Sequence, residues 1–234
     1  MIALPLQLAI ALWGLAVPVY ASAVDHRLAG LALRAEERFP EAIAAFEKAI
    51  ALEPNQSSNY VLLGWTQHLY GQSESAAHSL WQAIYLQPQQ VEAYNALGIV
   101  YLVRGDLPQA VLIHSWSALL KPDNEIAYFN LSLAYHRQQM YDLALYYARS
   151  ASVLEPNNPH PLIAQALAYW GKQDQASALQ ALRQGIALQP LYGNPQSLDQ
   201  LKKAGFHPTQ IATVSNMLNR MTIGLIDGNV RFSH

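Results

Sequence analysis

A proline stands at every thirty-fourth residue through most of this chain, at Pro54, Pro88, Pro122, Pro156 and Pro190. A fixed period of this length demands a stack of similar supersecondary units, each unable to bury its apolar face alone and each completing the core of its neighbour. Other columns keep the same step: Tyr60, Tyr94 and Tyr128; Leu63, Leu97 and Leu131; Tyr101, Tyr135 and Tyr169; Leu52, Leu86, Leu120, Leu154 and Leu188. Small residues recur as Gly30, Gly64, Gly98, Ser132 and Ala166, and again as Ala42, Ala76, Ala110, Ala144 and Ala178. Within the stretch from Val91 to Asn124, Tyr94, Leu97 and Tyr101 fall at i, i+3 and i+7, one stripe of a helix. Gly98 and Ala110 let two helix backbones approach closely. Between the two helices Gly105 and Asp106 predict a turn and an N-cap, with Pro108 in the first turn of the second helix, where its missing N–H costs nothing. Pro122 stops that helix, since the residue before a proline is pushed out of the α region.

These columns resemble the tetratricopeptide repeat, a helix-turn-helix unit of the same length. The resemblance implies an all-α fold, an α-solenoid of five helix pairs wound as a right-handed superhelix, with the first helix of each pair lining a concave groove that holds partner proteins. The units span residues 23–56, 57–90, 91–124, 125–158 and 159–192. The first unit has its turn at Phe39 and Pro40. Departures from the family pattern gather in the outer units, with His26 in the first and Gln165 and Gly185 in the fifth. After Tyr192 the period stops. Ser197 to Ala204 predicts a short helix closed by Gly205, and Thr209 to Met221 a longer one with Ile211, Val214, Leu218 and Met221 along one stripe. Residues 193–222 thus resemble the helices that cap a last repeat, while the tail, 223–234, makes either a hairpin turn at Asp227 and Gly228 or no fixed structure.

Formal net charge is -2, and five lysines and nine arginines are scattered without a basic run, which argues against a nucleic-acid partner. Charged residues are 13% of the chain, against about 25% in an average soluble domain, a surface suited to work beside a membrane or a partner. Cysteine is absent, so disulfides and thiol chemistry are excluded. Residues Met1 to Val24 carry no charged side chain. Read as a signal peptide, this stretch has an apolar core between Pro5 and Pro18 and a small-residue cleavage motif at Ala21, Ser22 and Ala23, with export after cleavage following Ala23. Read as a membrane anchor, residues 1–22 are long enough to span the hydrocarbon, and Arg27, Arg34 and Arg38 beyond them place the repeats on the cytoplasmic side. A third reading packs the stretch on the solenoid as a buried helix, although its apolar residues form no confined stripe.

No motif for phosphate, nucleophilic or metal chemistry is present, so neither enzyme activity nor a cofactor nor a metal is expected. His68 and His136 hold the same position in units two and four, too far apart in a stack to share a metal. His114, in a second helix where the family has an apolar residue, is expected to be partly buried and hydrogen-bonded.

The resemblance places the groove at positions two, five, nine, twelve and thirteen of each unit. In this chain these are Val61, Trp65, His68 and Leu69; Asn95, Ile99, Leu102 and Val103; Phe129, Leu133, His136 and Arg137; and Ile163, Leu167 and Trp170. Asn130 matches a family asparagine, but the lysines of the family's clamp for a C-terminal carboxylate are missing. A mostly apolar set points to an apolar segment or amphipathic helix of a protein partner. Two occupants remain open, a partner or the chain's own 209–221 helix. A scaffold of this layout resembles factors that assist assembly of membrane complexes, including photosynthetic ones. The alternative is a structural module for self-association or envelope organisation without a client. The sequence leaves the oligomeric state unknown.

Overall fold

The structure, a computed structural model, describes residues 21–230, with side-chain surroundings to Met221. The anchor and signal readings therefore fall almost wholly outside the described residues. Helices follow one another in pairs: α1 Ala23–Ala35 with α2 Phe39–Leu52, α3 Ser57–Leu69 with α4 Ser73–Leu86, and α5 Val91–Arg104 with α6 Leu107–Leu120. Then come α7 Glu125–Arg137 with α8 Tyr141–Leu154, and α9 Pro159–Gly171 with α10 Gln175–Leu188. Two 3-10 segments, Pro190–Gly193 and Pro195–Ala204, lead into α11, Pro208–Val230.

The small-residue column explains how each pair closes. Position eight of a unit faces position twenty-four on the partner helix, so a Cβ added at Gly64 would lie 2.7 Å from Leu80 Cγ, and one at Gly30 would lie 2.6 Å from Phe46 Cε1. Unit four makes the opposite trade, with Ser132 in the first helix and Ala148 in the second, both buried. The tyrosine and proline columns form one interaction: the Tyr94 hydroxyl donates to the Pro88 carbonyl and that of Tyr128 to Pro122, each at 2.9 Å. Each side chain thereby satisfies a backbone acceptor in the turn that closes the preceding unit. Consecutive helices pack throughout, and the first helices α3, α5, α7 and α9 also touch one another in a row. That tighter side is the inside of the curve.

A third column emerges in the turns. Glu37, Gly71, Gly105, Gln139 and Gln173 all have positive φ, between 60° and 89°, and all stand 34 positions apart. Only two are the glycines that suit this region. The first turn accordingly falls at Glu36 to Arg38, and Phe39 and Pro40 already open α2. Asp106 precedes α6 but makes no side-chain cap; its carboxylate lies 3.4 Å from Arg104 instead. Ser22 does cap α1, accepting from the Asp25 N–H while the Asp25 carboxylate accepts from the Ser22 N–H. At the far end Gly205 closes the second 3-10 segment at φ 88°. The α11 backbone runs as helix through Asp227 and Gly228, so no hairpin turn forms there.

His114 also departs from expectation. It is fully buried against Gly98, and neither ring nitrogen has a hydrogen-bond partner. Burial pushes its pKa down to about 3, with the Gly98 backbone pulling the other way. The imidazole fills the space that Leu80 and Phe46 fill in earlier units, and acts as a neutral space-filler.

Gly64→Ala gains about 1 kcal/mol of helix propensity yet should lower stability, because overpacking against Leu80 costs about 1–3 kcal/mol. Pairing it with Leu80→Ala, which reproduces the size trade of unit four, should cost less than the sum of the two single changes in a urea-unfolding cycle. Gln139→Gly and Gln173→Gly should each raise stability, by up to about 1 kcal/mol, read as a higher urea midpoint. For pH the sign is fixed by His114. An unfolded histidine titrates near 6.5 and the folded one near 3, so below about pH 6.5 the unfolded state binds more protons and stability falls as pH drops. His136, held down to about 4 by burial, adds to the same window. Thermal melts from pH 7 to pH 4 should show a shallower decline for His114→Leu than for the parent; an unchanged slope would contradict the buried neutral imidazole.

Candidate functional site

The inner row of first helices carries the predicted groove positions, and the structure divides them into a covered and an open part. In units four and five, Leu133, Ile163 and Leu167 are fully buried and Phe129 is 7% exposed. They share one core with Leu198, Leu201, Phe206, Ile211, Val214 and Met217 from the C-terminal segment. Phe206 meets the Phe129 ring edge-on, with centroids 5.6 Å apart. The Gln210 amide lies 3.4 Å from the Leu133 carbonyl and 3.1 Å from His136 Nδ1. Farther along α11, the Arg220 guanidinium stands over the Trp170 ring at 5.3 Å and donates to Gln175.

Of the two occupants the sequence leaves open, the chain's own C-terminal segment takes the inner face of units four and five. Phe129, Leu133, Ile163 and Leu167 lie under this chain's own segment, because the apolar stripe of α11 and Phe206 need the same surface to be buried. Asn130 is buried too, its amide donating to the Ile126 carbonyl at 2.9 Å. Leu102 is buried at the seam between α5 and α7, and its carbonyl accepts from the Arg137 guanidinium.

The first half of the row stays uncovered among the described residues. Leu69 and Val103 are 43% and 55% exposed, and Val61, Trp65, His68 and Ile99 are half-buried. Trp65 and Val61 rest their inner faces on the core of units two and three, and the Trp65 and His68 rings lie 5.1 Å apart. His68 Nδ1 is buried without a partner, and burial lowers its pKa. Asn95 is engaged inside the unit, its carbonyl oxygen accepting from Ser117 at 2.7 Å and Asn124 at 2.9 Å. Beyond these residues, toward the first unit, the Arg27 guanidinium pairs with Glu53 and donates to Asn59 at 3.2 Å.

Where the covered part begins, a cleft of about 380 Å³ is lined by Glu125, Phe129, His160, Tyr192 and Lys203. Partial burial, and then the neighbouring Glu155, raise the Glu125 pKa to about 7. His160 Nε2 and the Tyr192 hydroxyl share a hydrogen bond of 2.8 Å. Of these residues sequence reasoning named only Phe129 as a site residue, and it named neither Phe206 nor Gln210. The apolar stripe of the 209–221 helix was the one signal pointing to them. Among the described residues no group of three or more His, Asp or Glu side chains is placed to hold a metal ion.

The family model described as Tetratricopeptide repeat matches residues 23–56. Comparison with curated proteins gave no match. Among solved structures the chain is similar to the MamA protein, with a TM-score of 0.63 and 23% identity over 72% of this chain and 92% of that one. It is also similar to TTC0263, a thermophilic TPR protein of Thermus thermophilus, with a TM-score of 0.60 and 22% identity over 72% and 92% of the two chains. YrrB, described as a TPR protein with an unusual peptide-binding site, aligns with a TM-score of 0.59 and 18% identity over 72% of this chain and 87% of that one. Identities this low speak to fold alone. Residues 23–56 thus match a tetratricopeptide repeat, and the chain folds as a solenoid of helix pairs like those of the similar TPR structures.

Proposed function

We propose that the chain is a non-enzymatic scaffold, tethered to a membrane by residues 1–22, that holds an apolar segment or amphipathic helix of a partner protein along the open half of its concave face. The observation that carries this reading lies inside the molecule. Val61 and Phe129 hold the same repeat position, as do Trp65 and Leu133, and His68 and His136. In unit four these positions take a phenylalanine ring, a helix with an apolar stripe and an amide that meets the histidine. In unit two the same positions are free of the chain's own C-terminal segment among the described residues. The covered half is thus a template for the open one: a partner with apolar residues at helical spacing, and a side-chain donor at the level of His68. The peptide-binding site named for the similar YrrB structure points the same way.

Among the described residues no helix is long and apolar enough to cross a membrane, so the tether rests on the uncharged sequence of Met1 to Val24. The capping box of Ser22 and Asp25 favours a retained anchor. Cleavage after Ala23 would remove the cap, worth about 1 kcal/mol, together with the buried first residue of α1. A tethered scaffold with an oily inner face suits the task of holding a membrane protein's apolar segment during assembly.

A photo-crosslinking residue placed at Ile99 in cells should give a discrete adduct, and mass spectrometry should map it to an amphipathic or apolar stretch of the captured protein. Val103→Asp and Leu69→Asp should abolish the adduct while changing stability by no more than about 0.5 kcal/mol, as expected for exposed positions. An adduct that survives both substitutions would overturn the groove assignment. The intact mass of the native protein should begin at Met1; a chain beginning at Val24 would remove the tether.

A further inference from the structure

The outward side of the stack carries large apolar side chains that neither the core nor the groove employs. Tyr85, Leu119 and Val153 hold one repeat position in α4, α6 and α8 and are 79%, 68% and 80% exposed. Leu112 and Tyr146 share another position, at 50% and 62%. In α6, Leu112, Trp116 and Leu119 fall at i, i+4 and i+7, one stripe turned away from α5. No charged residue interrupts α6 from Leu107 to Leu120. The one charge of α4, Glu74, stands in its first turn and lies 3.6 Å from Arg104. In α8, Arg149 turns aside onto the Tyr169 ring, 5.7 Å from its centroid. Exposed apolar side chains thus recur at the same repeat positions on three successive second helices, and such exposure is kept for contact with something.

Two observations say with what. Tryptophan and tyrosine mixed with aliphatic residues is the side-chain chemistry of the zone between lipid headgroups and acyl chains, where an apolar body and a polar tip are both satisfied. The want of lysine and arginine in the patch argues against an acidic partner or charge-driven adsorption. Moreover, the uncharged residues 1–24 run into α1 with no linker, since Ser22 is already the helix cap. Whatever that segment enters lies within reach of the solenoid. We infer that the convex face formed by α4, α6 and α8 rests in the interfacial zone of a lipid bilayer, which turns the open groove toward the aqueous phase. The inference rests on the tether proposed above.

The five tryptophans allow a test on the full chain, reconstituted in zwitterionic phosphatidylcholine vesicles with brominated acyl chains. Four variants each keep one of Trp13, Trp81, Trp116 and Trp170 and carry phenylalanine at the other tryptophan positions. Relative to vesicles without bromine, Trp13, Trp81 and Trp116 should lose most of their emission, Trp170 should keep it, and added salt should change none of them. Leu119→Asp together with Tyr146→Asp should restore Trp116 emission while Trp13 stays quenched. If Trp13 is quenched and Trp81 and Trp116 are not, the tether stands and the docked face is overturned. If Trp81 and Trp116 are quenched and Trp13 is not, the face docks without the tether. Unquenched Trp81 and Trp116 with a sedimenting dimer would make the patch an interface between copies and overturn the lipid assignment.

Discussion

The close approach of the two helices within each pair is the constraint on which everything else in this molecule hangs. A small residue at position eight admits the side chain at position twenty-four, and the pair closes as Gly30 with Phe46, Gly64 with Leu80 and Gly98 with His114. Dense packing leaves no room for both partners to be large. Ser132 with Ala148, both buried, shows a second way for the pair to close, with neither partner large. Because every pair closes in the same way, successive first helices meet in a row and a concave face appears without any residue being dedicated to making one.

What the chain does with that face differs between its halves. From α7 onward the inner positions are satisfied within the molecule, by Phe206, by the apolar stripe of α11 and by Gln210 against His136. This covering solves the end problem of a solenoid, whose last unit would otherwise leave its apolar face wet. Units two and three carry groove residues of the same kind and, among the described residues, lack that cover. The occupied half shows by example which chemistry the surface accepts, and the proposal of an apolar partner is built on that contrast.

The extent to which this was legible in the sequence follows the range of the interactions. The columns of Pro, Tyr, Gly and Ala announced the helix pairs because each reports a contact inside one unit, repeated often enough to stand out. The turn positions were legible only where glycine marked them; at Glu37, Gln139 and Gln173 the packing of the two helices imposes a left-handed residue against local preference. His114 was misjudged because a buried imidazole without hydrogen bonds can serve as volume, which its side-chain chemistry does not suggest. The covering of Phe129, Leu133, Ile163 and Leu167 was the harder case. It depends on Gln210 meeting His136, 74 residues earlier, outside the repeating pattern. The apolar stripe of the last helix revealed that it must be buried somewhere, and left its resting place open.

Amide hydrogen exchange on the full chain and on a chain ending at Tyr192 bears most directly on this division of the groove. Removal of the C-terminal segment should strip protection from α7 and α9 while α3 and α5 exchange as before. Equal protection of α7 and α9 in the two chains would mean that the segment does not cover them, and the account of a half-filled groove would fail.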